Sequence, residues 1–308
     1  MKIAVLGAGA MGSIYGGHLS ADNDVYMIDK KAELVDKINA DGLKLFENNT
    51  DVIYHPAALL SSEGIGEVDL VIIFVKALYS RAALMENKGI IGDNTYVMTL
   101  QNGAGHEDII LEFVPKERII IGTTEDNGAI LGDGYVRRGG KGKTNIGMLV
   151  EDSQHMLDKV KVCLDSCGFD THIYDNIQQL IWDKLFTNVS LSALTGVLQV
   201  PIGFIATDEY AWNMTVTLIK EAMQVAKAIG LEFNEEEMIE RVRNTSLNSP
   251  EGRTSIYADL KAGRLTEVNT ISGAVVKAGD RLGVPVPSHK MIVNMVHAME
   301  NKSKNNVE

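Results

Sequence analysis

The sequence predicts an α/β protein, an N-terminal domain of alternating strands and helices followed by an all-helical C-terminal domain. Three observations carry this. A short apolar strand over residues 3–6 runs straight into Gly7-Ala8-Gly9-Ala10-Met11-Gly12. Strand-length apolar runs then alternate with helical stretches to about residue 175. From Asn176 onward the apolar period becomes 3.6 and stays there.

The first strand is apolar enough to be buried on both faces. Gly7 permits the tight turn out of it, Gly9 lets a pyrophosphate approach the backbone, and Gly12 lets the next helix sit close on the sheet. Residues 11–19 read as that helix, with its first N–H groups aimed at the phosphates. A second strand, residues 24–28, ends in Asp29, twenty residues after Gly9, about where an adenine ribose is held in a dinucleotide-binding βαβ unit. A plain glycine β-turn is the competing reading, and the full strand–turn–helix–strand context argues against it. The N-terminal half is therefore expected to be a Rossmann dinucleotide-binding domain.

Further strands are expected at residues 69–75, 95–100, 119–122 and 169–174, and helices at 31–40, 77–87 and 154–166. The glycine-rich stretch 127–150, with alternation at 143–148, predicts an antiparallel hairpin closing the sheet edge. The helical half is expected to comprise residues 176–198, 209–229, 235–244, 255–262, 267–282 and 288–299. Gly230, Gly263 and Gly283 stand where helices should stop. The domain boundary falls near Asp175, giving domains of residues 1–175 and 176–308, and the polar tail 301–308 is expected to fray.

A chain of 308 residues with 45% hydrophobic and 23% charged residues has the balance of a soluble globular protein of two domains. Its net charge of −12 repels nucleic acid and anionic lipid, so neither is an expected partner. No run approaches the ~20 apolar residues that span a bilayer. The first strand begins too early for a secretory signal, so a cytoplasmic location is expected. Cys163 and Cys167 share a helical face and read as buried free thiols, and neither they nor the seven scattered histidines have metal-ligand spacing. No metal is expected.

On the first long C-terminal helix, Ile177, Ile181, Leu185 and Val189 form an apolar i,i+4 row, and Leu180, Lys184, Asn188 and Ser192 run beside it. The second row is either the solvated margin of an amphipathic helix or a row facing a cleft. No acid stands three or four residues from Lys184 to pair with it along the helix. In the second candidate region, Thr266 reads as an N-cap and Glu267 as an acid in the first turn of the next helix, where the helix dipole alone would favour it.

These residues resemble the ketopantoate reductase family of the 6-phosphogluconate-dehydrogenase-like group, almost end to end. The resemblance rests on the glycine turn, Val75-Lys76-Ala77, Gln101-Asn102-Gly103, Trp182-Asp183-Lys184-Leu185-Phe186-Thr187-Asn188, and Arg253-Thr254-Ser255-Ile256-Tyr257-Ala258-Asp259 followed by Gly263-Arg264-Leu265-Thr266-Glu267-Val268-Asn269. It implies that NAD(P)H reduces a 2-oxo acid, ketopantoate giving D-pantoate in pantothenate biosynthesis. Lys184 would be the general acid and Glu267 would hold Lys184 or the substrate. Asn102 would lie near nicotinamide and substrate, Asn188 would contact substrate hydroxyls and Ser255 its carboxylate. Lys76 and residues 7–12 (Gly7, Ala8, Gly9, Ala10, Met11, Gly12) would sit at the cofactor.

The chemistry is coherent in its own right: negative charge developing on a reduced carbonyl oxygen is stabilised and protonated by an ammonium within hydrogen-bonding reach. The family usually has asparagine at Ser192, proline at Ala193, aspartate at Asn269 and asparagine at Ser272. In the family the asparagine replaced by Ser192 helps hold the terminal hydroxyl of ketopantoate, so a D-2-hydroxyacid dehydrogenase acting on another 2-oxo acid is the alternative. Asp29 would accept from ribose hydroxyls and favours NADH, while Lys30 and Lys31 could reach the 2′-phosphate of NADPH. A redox sensor without turnover would keep the glycine turn yet make no demand on Lys184, Asn188, Ser255 or Glu267. The partner is a small-molecule 2-oxo acid, and a homodimer is compatible with the sequence without being specified by it.

Overall fold

The computed structural model describes residues 1–305. In the first half the elements are β1 (Lys2–Leu6), α1 (Ala10–Leu19), β2 (Asp24–Ile28), α2 (Ala32–Asp41), β3 (Leu43–Glu47), β4 (Thr50–Tyr54), β5 (Ala57–Leu59), β6 (Leu70–Ile73), α3 (Ser80–Glu86), β7 (Tyr96–Thr99), α4 (Glu107–Ile110), β8 (Ile119–Thr124), β9 (Asn127–Gly132), β10 (Tyr135–Gly140), β11 (Lys143–Met148), α5 (Met156–Ser166) and β12 (Asp170–Ile173). The second half holds α6 (Ile177–Leu198), α7 (Ile202–Thr207), α8 (Glu209–Ala228), α9 (Glu235–Leu247), α10 (Ser255–Lys261), α11 (Ser272–Leu282) and α12 (Pro287–Lys304). Two compact units result, residues 1–101 with 106–177, and residues 102–105 with 178–308.

The first unit is built on an eight-stranded sheet of order β12-β11-β8-β7-β6-β1-β2-β5. Strands β8 to β5 in that order are mutually parallel, β11 is antiparallel to β8, and β12 is parallel to β11. The central strands are apolar along their whole length because both faces are covered, as at Leu70–Ile73 where every residue is buried. The chain leaves β1 toward β2 on one side and reaches β6 on the other. The crevice outside the carboxyl ends of β1 and β6 is therefore the switch point where such sheets bind ligands.

A second sheet, β4-β3-β10-β9, has no counterpart in the sequence reading. Its β3–β4 hairpin turns on Asn48 and Asn49, both at positive φ (50° and 61°), a conformation asparagine tolerates well. This sheet revises the expected hairpin at 127–150: β9 and β10 do pair antiparallel, but beside β3 in the second sheet, while β11 joins the main sheet and β12 forms its edge. The physical reason is α1. Residues Gly12 to Leu19 are all buried, so this helix needs cover on both sides. Gly16 backs onto Met27 of the main sheet, and Gly17 faces Leu43 and Leu45 of the second. A buried ion network ties the two: Arg138 donates to Asp126 Oδ1 through Nε (2.9 Å) and Nη2 (2.7 Å), and Glu47 Oε2 lies 3.1 Å from His18 Nε2 on α1. Burial pushes the His18 imidazole below its ordinary value, against the pull of Glu47.

In the helical unit, side-chain caps fix three helix starts: Asp208 accepts from Ala211 N–H, Asn234 from Glu237 N–H and Thr254 from Tyr257 N–H. The start of α12 is capped from outside its own segment, by buried Glu221 of α8 accepting from Ser288 and His289 N–H. Gly230, Gly263 and Gly283 follow helices at positive φ, as the stop signals require. The helix expected over 267–282 is instead broken: a single 3₁₀ turn, Val268–Thr270, ends at Ile271 (φ −100°, ψ −99°), and α11 starts at Ser272. Thr266 consequently caps only that turn, accepting from Val268 N–H at 3.2 Å. Cys167 lies just past α5 and is buried, whereas Cys163 is half-buried. Of the tail expected to fray, residues 301–304 continue α12, and 306–308 lie outside the described residues. Among the described residues no helix is long and apolar enough to cross a membrane, and no group of three or more His, Cys, Asp or Glu is placed to hold a metal ion.

Candidate active site

At the switch point, a cavity of about 510 Å³ opens over the carboxyl ends of β1, β2 and β6. Its walls include Gly7, Gly9, Asp29, Lys30, Lys76 and Glu86. The loop above β1 is built by close approach. Gly7 has φ +98°, and a Cβ there would lie 2.8 Å from the Val75 nitrogen. A Cβ on Gly12 would overlap the Gly7 carbonyl oxygen, so only glycine lets α1 start here. A Cβ on Gly9 would meet nothing within 4 Å, which leaves its backbone open to an approaching phosphate. These features fit a dinucleotide, with its pyrophosphate against residues 7–12 and its adenosine in the cavity.

Asp29 has a structural task that the sequence did not reveal. Its Oδ2 accepts from Ala8 N–H at 2.8 Å and its Oδ1 from Lys31 N–H at 3.0 Å. The carboxylate thus staples the glycine loop to the end of β2 while keeping lone pairs for a ribose. Gln101 does a similar job on the other wall. Its Nε2 donates to Val75 O (2.5 Å) and its Oε1 accepts from Thr99 (2.8 Å), fixing the backbone that leads into Lys76. Leu60, Ser61, Tyr79, Ala82, Ala83, Glu86 and Asn87 also line the cavity and were missed in the sequence. The available signal was positional: they follow the carboxyl ends of β5 and β6, where Rossmann ligands sit.

In the helical unit, α6 carries Lys184, Asn188 and Ser192 on one face. Lys184 and Asn188 are half-buried and Ser192 is 5% exposed, so the row is increasingly withdrawn from solvent toward Ser192. Helix α10 closes on α6 near this row: Thr254 Oγ1 lies 2.9 Å from Thr195 Oγ1 and donates to the Ser192 carbonyl at 3.3 Å. A Cβ on Gly196 would come within 2.6 Å of Ile256 Cγ2. Ser255, exposed, opens α10, so Ser192 and Ser255 lie on neighbouring segments.

Glu267 is half-buried in the tight turn held from α12. Glu300, 6% exposed, accepts at Oε1 from Thr266 N–H and Oγ1–H, both at 2.7 Å, and its Oε2 lies 2.8 Å from His297 Nδ1. Burial alone would raise the Glu300 carboxyl, but the hydrogen bonds from Thr266 and His297 outweigh it and hold the group below its usual value. Asn102 is exposed at the head of a loop tied to the same turn, with Ala104 N–H donating to Thr270 O at 2.9 Å. Gly103 (φ +101°) meets Thr270 so closely that a Cβ would run into its carbonyl. Asn102 and Glu267 are thereby brought onto one locally braced structure.

Residues 3–151 match the model of the family "Ketopantoate reductase PanE/ApbA", and residues 176–300 match its C-terminal counterpart. The chain is 32% identical to a 2-dehydropantoate 2-reductase of Streptococcus pyogenes, across 97% of this chain and 98% of the relative. This chain belongs to the ketopantoate reductase family. A 2-dehydropantoate 2-reductase of Lactococcus lactis is 31% identical over the same shares. Among solved structures, D-mandelate dehydrogenase with NADH and anilino(oxo)acetate superposes with a TM-score of 0.88 at 34% identity, over 99% of both chains. Family and fold together make the chain an oxidoreductase with a Rossmann-like NAD(P)-binding unit.

Proposed function

We propose that this ketopantoate reductase family member reduces ketopantoate to D-pantoate, with Lys184 as its general acid and NADH as its preferred cofactor. The observation that carries the reading is the polar row of α6, Lys184-Asn188-Ser192, half-buried at Lys184 and Asn188 and buried at Ser192, beside the buried apolar row Ile177-Ile181-Leu185-Val189. When bound, the nicotinamide supplies a hydride to the carbonyl carbon of the 2-oxo acid. Lys184 hydrogen-bonds the carbonyl oxygen, stabilises the charge that develops there and gives up a proton to it. A lysine ammonium is present at neutral pH, so reduction draws on the resting form. Oxidation needs the neutral amine and improves as pH rises. Glu267 orients Lys184 or the substrate, Asn188 receives substrate hydroxyls, Ser255 the carboxylate, and Asn102 and Lys76 border the cofactor. Asp29, fixed by Ala8 and Lys31 N–H, accepts from ribose hydroxyls and disfavours a 2′-phosphate.

A second reading, a D-2-hydroxyacid dehydrogenase for another 2-oxo acid, is favoured by Ser192. It is buried and shorter than the asparagine usual in the family, and one missing polar contact can reorder substrate preference by orders of magnitude. The likeness to D-mandelate dehydrogenase points the same way. The deciding experiment follows NADH and NADPH oxidation with ketopantoate and with pyruvate-like, branched-chain and aromatic 2-oxo acids. The first reading requires the highest kcat/KM on ketopantoate. An aromatic or branched substrate in first place selects the second, and no turnover on any of them removes both.

A further inference from the structure

We infer that Glu86 and Asp133 are cofactor-specificity residues: each engages one of the two lysines that follow Asp29, which biases the adenosine end of the cavity toward a ribose with two free hydroxyls. The inference rests on the proposed placement of NAD(P) in this cavity. Lys30 and Lys31 are the cations that a 2′-phosphate at the end of β2 would recruit. Lys30 Nζ lies 2.6 Å from Glu86 Oε1, and both residues line the cavity. Lys31 Nζ donates to both Asp133 oxygens, at 2.6 and 2.8 Å. Hydrogen bonding to Asp133 also pushes the Lys31 ammonium above its ordinary value.

Asp133 reaches Lys31 from the β9–β10 turn of the second sheet, and Glu86 reaches Lys30 from the end of α3. Asp29, Glu86 and Asp133 set three negative charges against the two lysines. A 2′-phosphate adds about −1.5 to −2 more at neutral pH and must compete with a carboxylate for either ammonium. Two diol hydroxyls carry no such penalty and can donate to Asp29. Both ion pairs are exposed, with Lys30 and Glu86 side chains 76% and 49% accessible, so each is worth a modest factor.

The test separates the nucleotide from the chemistry. Calorimetric titration of wild type, Glu86→Gln, Asp133→Asn and the double variant Lys30→Gln/Glu86→Gln uses adenosine 5′-monophosphate and adenosine 2′,5′-bisphosphate as probes. The expected result is a wild-type preference for the monophosphate. Glu86→Gln should raise the bisphosphate-to-monophosphate affinity ratio by about three- to tenfold, Asp133→Asn should raise it less, and the double variant should lose the gain. A wild type that prefers the monophosphate, with a ratio unmoved by Glu86→Gln and Asp133→Asn, overturns the inference alone. A wild type that binds neither probe overturns the placement of the cofactor itself, and one that prefers the bisphosphate overturns the NADH assignment together with the inference.

Discussion

The glycine loop and the Thr266–Thr270 turn both present candidate groups, and they are held in opposite ways. The loop is held locally. Gly7 N–H donates to Ile28 O, Ala8 N–H to Asp29, and Ser13 Oγ–H to Ala8 O, all within 21 residues of chain. What it offers a ligand is backbone and empty space, so its design consists of missing side chains. The turn is held from afar: Glu300 and His297, about 30 residues onward, brace it, and the Asn102–Gly105 segment, more than 160 residues earlier, pins Thr270. What it offers is a carboxylate, Glu267, whose use depends on where distant helices place it. A backbone site is written into a few consecutive residues, whereas a side-chain site is written into its scaffold.

The largest expected effect strikes the side-chain half. Lys184→Ala should lower kcat by about 10²- to 10⁴-fold while dinucleotide affinity, read by NADH fluorescence, stays within a few-fold. Loss of both together would mean that the two kinds of site are not separable. The converse variant is Gly12→Ala. Its Cβ overlaps the Gly7 carbonyl, so α1 must shift and NADH affinity should fall roughly ten- to a hundredfold. Normal binding would show that the loop tolerates what its geometry forbids.

Glu300→Ala sharpens the contrast further. It leaves the buried Thr266 N–H without its acceptor and should cost about 1–3 kcal/mol of stability in urea. If the turn is a braced platform, kcat should fall as well, without any change in nucleotide affinity.

The smallest expected effect is a pH slope in stability. Burial pushes His18 and His289 below the ordinary imidazole value of 6.5. His289 Nε2 meets the Leu218 carbonyl while Nδ1 has no partner among the described residues, so a second ring proton would be a buried, unpaired donor. The folded state therefore binds fewer protons than the unfolded state just below pH 6.5, and stability drops as pH falls through that interval. Glu300, held low, loses its contribution further down, below the carboxylate value of 4.5. The melting temperature should be lower at pH 5.5 than at 7.5, and His289→Gln should flatten part of the slope. A flat profile in wild type would contradict the buried neutral histidine.

Much of the fold was legible. β1, β2, β6, β7 and β8 announced themselves because short apolar runs rich in β-branched residues between polar loops have few other solutions, and α6, α8 and α9 did so by their period. The second sheet was not legible. β3 alternates buried and half-buried residues and β4 mixes half-buried with exposed ones, so neither is a continuous apolar run, and β3 pairs with β10, some 90 residues away. The break at Ile271 was hidden for a related reason. Residues 267–282 keep a helical period, and the break falls where distant groups, Glu300 on Thr266 and the Ala104 N–H on Thr270, hold the chain.

The sequence by itself determined the parallel sheet, the glycine loop and the acid at the end of β2, since those depend on local sterics and on which residues lack a Cβ. It also determined the helical row that carries Lys184, because an i,i+4 spacing is a property of the helix alone. Tertiary structure decided the rest: that Asp29 anchors the loop as well as facing the cavity, that Lys30 and Lys31 are engaged by Glu86 and Asp133, and that Glu267 sits in a braced turn rather than a helix. The reason is that charge pairing and burial are settled by whichever groups the fold brings within about 3 Å, and sequence spacing does not encode that distance.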